Sequence, residues 1–511
     1  MLDKLLSLRK KLDISNRSEL FKRSAHNTMW STLDYLVLPI LFIVATPIFV
    51  GHLGVEMYGL WMLSNTLTGF TGLFAFGLTD ATIKFVSKYH ALDDTDGVVR
   101  VAQSTLLMYG SLGLFALAAT FFAAPFLVEK VFNIKPQDFS LAITVLRLSG
   151  LGIAVRFIDS VFMSVFQGYQ RYDLSAKVTI PANILTVVSN VVLVLMGFHV
   201  KEVVTCSIAV LALSALSKSF LLRRILSLKI NLIPRFDVRT IKEIWSYGMY
   251  SWVQDMSAIL LGQVDRLLIA SLLSTSALAY YSVCLQLAQQ IHAVLSKGTA
   301  FLFPLSSASL ESGNKEGMRR IYFKALRLVT VVAVGIGFPL FLFADKVLTV
   351  WMGPAFAEHA TIILRILAFG FTVLATSIVP YYYMNGIGFV RLNTVFGFIS
   401  GTAVAGSVVL LIPSLGLPGV ALARLANIPV GLISRTIMHR RVFGDMRWYT
   451  SLLILGPIIV TFLLGLPLLD WLSSQKIGII LLGGAMCFSG IVASLASFLF
   501  SKIIPIETVQ S

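Results

Sequence analysis

Charged residues and cysteines are both scarce in this chain. Only 13% of its 511 residues are charged, about half the share found in soluble globular proteins. The chain has 3 cysteines, and each lies within an apolar stretch, so we interpret them as small packing residues. This scarcity excludes a disulfide-rich secreted domain and a cysteine-based metal centre, and it disfavours a soluble protein.

Several sequence motifs of enzymes are also absent. The chain has no G-x-x-x-x-G-K-[ST] phosphate-binding loop, no H-E-x-x-H zinc motif and no acidic cluster suited to metal binding or glycosyl transfer. Its hydrophilic segments are too short to contain an ATPase domain. We therefore expect no catalytic residues, no metal site and no organic cofactor, and we predict that the protein is not an enzyme.

Long apolar stretches fill most of the chain instead. Hydrophobic residues make up 57% of the sequence, and a membrane-spanning helix needs about 20 mostly apolar residues. The segments that meet this requirement are approximately 27–50, 58–83, 101–127, 141–166, 174–198, 203–222, 245–273, 277–304, 321–344, 357–384, 392–413, 419–438, 448–470 and 476–501. The sequence therefore predicts an all-α polytopic membrane protein with about 14 transmembrane helices.

The basic residues are unevenly distributed among the predicted loops. If the N-terminus is cytoplasmic, most of the 41 lysines and arginines lie in or beside cytoplasmic loops. The opposite loops hold only Lys130, Lys135, Lys201, Lys346 and Lys476. This distribution follows the positive-inside rule and places both termini in the cytoplasm. The net charge of +16 is thus mainly a signal of topology, and we expect no nucleic-acid partner because the charge is spread over many loops.

A weak internal repeat relates the two halves of the sequence at an offset of about 218 residues. The basic pair Arg223-Arg224 recurs as Arg440-Arg441, and Gln167-Gly168 corresponds to Asn385-Gly386. Both halves begin on the same side of the membrane, so the repeats would be parallel and related by an axis along the membrane normal. Two such bundles can move against each other around a central cavity, which is the architecture of a carrier.

The repeat predicts two six-helix pseudo-repeats followed by two further helices. The expected organisation is a basic cytoplasmic leader (1–26), an N-terminal six-helix bundle (27–222), a basic cytoplasmic linker (223–244), a C-terminal six-helix bundle (245–441), and two additional transmembrane helices with a short tail (442–511). The leader is rich in lysine and arginine and lacks the apolar stretch of a cleavable signal peptide.

Ionisable residues inside membrane helices are costly, so they mark candidate functional sites. Five arginines are predicted to be well embedded: Arg147, Arg156, Arg266, Arg365 and Arg424. An arginine stays charged when it is buried, and its planar guanidinium matches the oxygens of a phosphate. We therefore interpret these arginines as candidate ligands of an anionic substrate, with a phosphate group as the first candidate.

Three predicted intramembrane acids, Asp34, Asp159 and Asp255, are candidates for binding a coupling ion or for balancing the arginine charges. Arg156 and Asp159 lie three residues apart on one predicted helix, so mutual neutralisation is an alternative to ligand binding. Asp255 and Arg266 are eleven residues apart, which places them on one face of a continuous helix.

Uncharged polar residues also line up on predicted helices. Asn183 and Asn190 lie on a polar stripe of the fifth segment, and Gln286 and Gln290 lie on the eighth. Such residues could line a polar cavity. The alternative is hydrogen bonding between helices, which contributes about 0.6 kcal/mol per bond on average.

Four stretches of the sequence resemble a known transporter family. Residues 55–61 (VEMYGLW) and 76–81 (FGLTDA) are similar to the first two helices of Wzx-type polysaccharide flippases, which move lipid-linked oligosaccharides. Residues 263–269 (QVDRLLI) and 278–282 (LAYYS) are similar to the seventh and eighth helices of that family. This family belongs to the MOP (multidrug/oligosaccharidyl-lipid/polysaccharide) exporter superfamily, which also includes MATE drug exporters and lipid II flippases. The resemblance covers roughly residues 25–445.

The resemblance implies a function. A Wzx-type flippase moves an oligosaccharide linked to undecaprenyl pyrophosphate across the bacterial cytoplasmic (inner) membrane by alternating access, for O-antigen, capsule or exopolysaccharide synthesis. Its functional partners would be glycosyltransferases and a polysaccharide polymerase, and H⁺ or Na⁺ would be the candidate coupling ion. The alternative is a cation-coupled small-molecule or multidrug exporter of the MATE branch, which would need a membrane acid and would tolerate loss of the arginines.

Overall fold

The structure is a computed structural model that describes residues 37, 39–225, 236–311, 315–444, 455–474 and 479–503. In these parts of the chain the regular secondary structure is helical and no β-strand occurs. Lipid offers no partner for backbone N–H and C=O groups, and a helix pairs these groups within its own segment. The predicted all-α class is confirmed.

The described α-helices, numbered in chain order, are α1 (Pro39–Leu53), α2 (Val55–Gly69), α3 (Thr71–Ala75), α4 (Leu78–Ala91), α5 (Thr95–Phe126), α6 (Phe139–Gly168), α7 (Tyr172–Leu195), α8 (Val200–Ile225), α9 (Val238–Gly262), α10 (Val264–Leu272), α11 (Thr275–Thr299), α12 (Leu302–Glu311), α13 (Lys315–Leu342), α14 (Ala344–Met352), α15 (Pro354–Ala375), α16 (Ile378–Gly386), α17 (Val390–Ala423), α18 (Asn427–Phe443), α19 (Gly456–Ser474) and α20 (Ile479–Ile503). A 3-10 turn, Arg424–Ala426, joins α17 to α18. α17 itself is interrupted at Gly416, whose combination of φ 59° and ψ −136° is open essentially to glycine.

Seven helical stretches among these residues are long enough and apolar enough to cross a membrane. Three shorter apolar helices lie at Pro39–Leu53, Gly456–Leu469 and Gly483–Leu495. Some predicted segments are not single helices, since 58–83 contains parts of α2 and α4 with α3 between them, and 245–273 contains parts of α9 and α10. The structure therefore supports a polytopic membrane protein, while the total of 14 crossings and the side of the termini stay predictions.

The chain forms two compact units that do not follow chain order. Of the described residues, those within 1–48, 71–124 and 144–252 form the first unit, and those within 49–70, 125–143 and 253–511 form the second. α2 and the connection between α5 and α6 thus group with the second unit, although both precede residue 222. The two six-helix bundles that the internal sequence repeat indicates stay a prediction.

The core of the first unit lies among α4, α5 and α6. Tyr109 of α5 and Phe157 of α6 are buried, and their rings stack with centroids 5.0 Å apart. The Tyr109 hydroxyl also hydrogen-bonds with Thr79 Oγ1 of α4 at 2.7 Å. Stacked aromatic pairs stabilise a core beyond the area that they bury. This packing holds α6, which carries three of the candidate site residues, in a defined orientation.

The chain turns between α3 and α4 at Phe76 and Gly77, whose φ angles are 48° and 65°. Such a turn interrupts the helical hydrogen bonds and leaves carbonyl groups to be satisfied by other donors. Trp252 provides one, since its Nε1 donates to the carbonyl oxygen of Leu73 at 2.7 Å. Its ring also contacts the ring of Phe76, with centroids 5.5 Å apart. The FGLTDA motif is thus the site of a helix break that a tryptophan side chain stabilises.

In the second unit α2 packs directly against α11. A Cβ atom added at Gly59 would lie 1.8 Å from the carbonyl oxygen of Thr275, far inside van der Waals contact. The two backbones can approach this closely only because residue 59 has no side chain. The connection between α5 and α6 packs on the same unit, and its Asn133 amide N–H donates to the carbonyl oxygen of Ala270 at 2.9 Å.

We expect Gly59→Ala to destabilise the protein by about 1–3 kcal/mol, because the new methyl group forces α2 away from α11. Gly51→Ala is the matched control, since a Cβ atom at Gly51 in α1 would meet no atom within 4 Å. Thermal unfolding of the purified protein in detergent, followed by tryptophan fluorescence, measures both effects. Equal midpoints for the two variants would contradict the close contact between α2 and α11.

Candidate functional site

A buried ion pair with a tyrosine lies in the second unit. Asp265 is 2% exposed, and its Oδ2 accepts hydrogen bonds from Arg424 Nη2 at 2.6 Å and Arg424 Nε at 3.0 Å. The Tyr281 hydroxyl donates to the same Oδ2 and accepts from Arg424 Nε at 2.7 Å. The charges of Asp265 and Arg424 therefore neutralise each other, and we call these three residues the Asp265 cluster.

Three separate helical segments position the Asp265 cluster. Asp265 lies in the first turn of α10, where its Oδ1 accepts the backbone N–H of Arg266 at 2.9 Å and its charge interacts favourably with the helix dipole. Tyr281 lies in α11, whose N-terminus is capped by Ser274. Arg424 begins the 3-10 turn after α17. The cluster thus joins α10, α11 and the end of α17, which indicates a mainly structural role.

Arg266 follows Asp265 directly but makes a different set of contacts. Its side chain is half-buried, and its Nε atom is buried without a hydrogen-bond partner in the described part of the chain. Asp265 attracts it electrostatically, yet the oxygens of that carboxylate are taken by Arg424, Tyr281 and the backbone. The Arg266 guanidinium therefore keeps donors for a ligand.

A second buried ion pair lies in the first unit. Lys218 of α8 is 2% exposed, and its Nζ atom lies 2.8 Å from both carboxylate oxygens of Asp159 on α6. A cation that sits between both oxygens neutralises the carboxylate. Asp159 is therefore neutralised by Lys218 across two helices, and mutual neutralisation with Arg156 along α6 does not account for its charge.

Arg156 lies one helical turn before Asp159 on α6. Its side chain is exposed, and its guanidinium has no hydrogen bond or ion pair with any residue that the structure describes. Asp159 still acts on it electrostatically. Because Lys218 occupies the carboxylate of Asp159, the charge and the five N–H groups of Arg156 are available to a ligand.

The other candidate arginines are held by neighbouring groups. Arg147 Nε donates to the carbonyl oxygen of Phe121 at 3.2 Å, and its guanidinium lies 4.2 Å from the centre of the Phe121 ring. Arg365 Nη2 lies 3.8 Å from Asp345 Oδ1. Arg365 and Arg424 thus lie against a carboxylate, whereas no carboxylate in the described ranges pairs with Arg147, Arg156 or Arg266.

The uncharged polar residues that were predicted to line a cavity also differ in whether the protein engages them. Asn190 is buried, and its Nδ2 donates to Ser207 Oγ of α8 at 2.8 Å, which is the interhelical bond that the sequence allowed as an alternative. Gln290 Nε2 donates to the backbone carbonyl of Gln286 on its own helix at 3.1 Å. Asn183 is half-buried, and no hydrogen bond links it to another residue in the described ranges.

The remaining predicted acids give less geometric information. Asp255 is half-buried on α9. The interruption at Gln263 separates α9 from α10, so the spacing along one continuous helix does not determine how Asp255 and Arg266 are oriented. Asp34 lies outside the described residues.

Two buried basic residues were missed by the sequence analysis. Lys218 and Arg435, which are 2% and 1% exposed, both lie within predicted apolar segments close to their cytoplasmic ends. Their positions near the basic pairs Arg223-Arg224 and Arg440-Arg441 suggested residues that extend towards water. Comparison of the two repeats could have found them, because they occupy equivalent places before those pairs.

Residues 52–361, more than half of the chain, match the family described as polysaccharide biosynthesis protein. The chain belongs to the polysaccharide biosynthesis protein family. A putative O-antigen transporter of Shigella flexneri is 20% identical over 367 residues, which cover 71% of this chain and 84% of that protein. The membrane protein MJ1068 of Methanocaldococcus jannaschii is 23% identical over 463 residues, covering 85% and 88% of the two chains.

Solved transporter structures share the fold of this family member. The lipid II flippase MurJ, in an inward closed conformation, matches with a TM-score of 0.69 at 14% identity and covers 94% of this chain and 100% of its own. An inward-facing multidrug resistance MATE transporter of the MOP superfamily matches with a TM-score of 0.68 at 17% identity, covering 80% and 95%. The family match confirms the predicted relation to polysaccharide biosynthesis proteins, and the fold is of the MATE and MurJ type.

We expect Asp265→Ala to destabilise this family member by about 3–5 kcal/mol, because it leaves Arg424 buried without a counter-charge. The double variant Asp265→Leu, Arg424→Met should recover most of that loss, since two apolar side chains need no partner. Unfolding midpoints in detergent measure both. Lys135→Ala, which breaks the exposed Lys135–Glu56 ion pair, is the control and should change little. A double variant no more stable than Asp265→Ala would contradict mutual neutralisation.

Proposed function

We propose that the protein is a flippase that moves an oligosaccharide unit linked to undecaprenyl pyrophosphate from the cytoplasmic to the outer leaflet of the bacterial cytoplasmic membrane. It works by alternating access and supplies cell-surface polysaccharide synthesis. Membership of the polysaccharide biosynthesis protein family and the likeness to an O-antigen transporter support this proposal. The glycosyltransferases that build the unit and the polymerase that extends it are the proposed functional partners.

One observation carries the proposal at the level of residues: Arg156 and Arg266 keep guanidinium donors without a partner among the described residues. The neighbouring acids do not neutralise them, because Asp159 is bound by Lys218 and Asp265 by Arg424. A pyrophosphate carries several oxygens and negative charge, which are the features that an arginine recognises. We propose each of these two arginines as a candidate ligand of the pyrophosphate.

The membrane topology that this function needs is the one that the sequence predicts. It comprises 14 crossings with both termini in the cytoplasm, so that loops rich in lysine and arginine face the side where the lipid-linked unit is made. The polyprenyl tail stays in lipid while the sugar and pyrophosphate pass through a polar path. Asn183, whose amide is not engaged by the described residues, and Gln286 are the proposed polar contacts of the sugar.

We further propose that H⁺ or Na⁺ drives the cycle and that Asp255 or Asp34, both acids of predicted membrane segments, binds it. A cation-coupled exporter of the MATE branch shares the fold, which carries many functions. That alternative requires one of these acids and does not require Arg156 or Arg266. The arginine variants described below therefore separate the two functions.

Deleting the gene should abolish the surface polysaccharide, because the lipid-linked unit can no longer reach the outer leaflet. Surface glycan and the undecaprenyl-linked intermediates are both measured. The intermediates should accumulate at the cytoplasmic leaflet. Reintroducing the gene should restore the wild-type pattern. Normal polymer and normal intermediates in a strain without a redundant paralogue would contradict the flippase proposal.

Arg156→Ala and Arg266→Ala should each lower transport by about tenfold to a hundredfold, since a charged hydrogen bond contributes about 1.5–3 kcal/mol. Restored surface polymer in the deletion strain measures transport, and membrane abundance of each variant shows that insertion is normal. Arg239→Ala is the matched control, because Arg239 is 90% exposed and only pairs with Glu243 on its own helix. Full complementation by both test variants would contradict a cationic substrate site.

A further inference from the structure

Arg435 is a buried cation without a counter-charge in the described part of the chain. Its side chain is 1% exposed on α18, where Nη2 donates to Thr376 Oγ1 at 2.6 Å while Nε and Nη1 have no partner. Arg435 interacts electrostatically with two ionisable side chains, Tyr322 and His439. Neither of them is negatively charged at neutral pH. An isolated buried charge is strongly unfavourable.

In the first unit, the basic residue equivalent to Arg435 is neutralised by a carboxylate. Arg435 lies 217 residues after Lys218, and Thr376 lies 217 residues after Asp159, which is the spacing that separates Arg223 from Arg440. Lys218 is bound by the carboxylate of Asp159, whereas the hydrogen bond that Arg435 makes to a described residue goes to the hydroxyl of Thr376. The second unit therefore retains the cation of the repeat but lacks its carboxylate.

A cavity lies beside Arg435 inside the second unit. Its volume, counted as the space that the centres of water molecules can occupy, is about 40 Å³. This volume is enough for roughly three water molecules. Its wall contains the polar residues Thr376, Ser377, Asn427 and Arg424 together with Arg435 and apolar side chains, and none of the described residues that line it is acidic. Because Arg424 is neutralised by Asp265, the net charge of these lining residues is that of Arg435.

We propose that this cavity binds one small monovalent anion of about the size of chloride, which neutralises Arg435. The unpartnered Nε and Nη1 of Arg435 supply the charge, and the amide of Asn427 and the hydroxyl of Ser377 offer further donors. One uncompensated positive charge matches one negative charge. The volume holds a halide with one or two waters, whereas a phosphate has four oxygens that are each close to the size of a water molecule. The site is separate from the proposed pyrophosphate ligands Arg156 and Arg266.

Thermal unfolding of the full-length protein in detergent tests the proposal. Sodium chloride replaces sodium gluconate stepwise at constant ionic strength, and tryptophan fluorescence reports the midpoint. A ligand that binds only the folded state raises the midpoint in a saturable way, and we expect a rise of about 3 °C for the wild type. The control Arg440→Gln, which removes an exposed arginine from the same helix, should respond like the wild type.

Two variants remove the need for the anion by opposite means. Thr376→Asp supplies the carboxylate that the first repeat has, so its midpoint in gluconate should be at least that of the wild type in chloride and chloride should add nothing. Arg435→Met removes the cation, and its midpoint should also not depend on chloride. No chloride response in the wild type, or a response of wild-type size in Thr376→Asp, would overturn the proposal. A rise with inorganic phosphate but not with chloride would overturn the assignment of a chloride-sized site.

Discussion

Charges buried in this protein need a partner, because neither lipid nor a packed helix interface solvates them as water does. The Asp265 cluster meets this requirement by bringing an acid, an arginine and a tyrosine from three helical segments onto one carboxylate oxygen. The Lys218–Asp159 pair does so across two helices of the first unit. These ion pairs hold helices together. They also determine which basic side chains remain available to bind a ligand.

The proposed function rests on the basic residues that remain rather than on the fold. The fold is shared with a lipid II flippase and with a multidrug transporter, so it does not identify the cargo. Family membership directs attention to polysaccharide precursors, and Arg156 and Arg266 are the residues that we propose as ligands of a pyrophosphate. Arg435 differs from these two arginines because it is buried beside a cavity. Its counterpart in the first repeat, Lys218, is bound by a carboxylate, whereas Arg435 is hydrogen-bonded to a threonine.

Much of the candidate site was visible in the sequence, but the role of each residue was not. The embedded arginines could be listed because charged residues interrupt apolar segments. Their partners come from distant positions, such as Arg424 for Asp265, 159 residues away. The pairing of Arg156 with Asp159, one of the two alternatives left open by the sequence, relied on helical spacing, and Lys218 on another helix binds that carboxylate. Spacing along a helix also failed where the helix breaks, as at Gln263.

The sequence by itself determined the helical membrane class, the family and most of the charged residues inside apolar segments. These depend on local composition and motifs, which are properties of the chain in one dimension. Only the tertiary structure decided which of those charges are neutralised, where helices such as α2 and α11 touch through a glycine, and where a cavity lies beside Arg435. The reason is physical: neutralisation and packing depend on distances of a few ångströms between groups that are far apart in the chain.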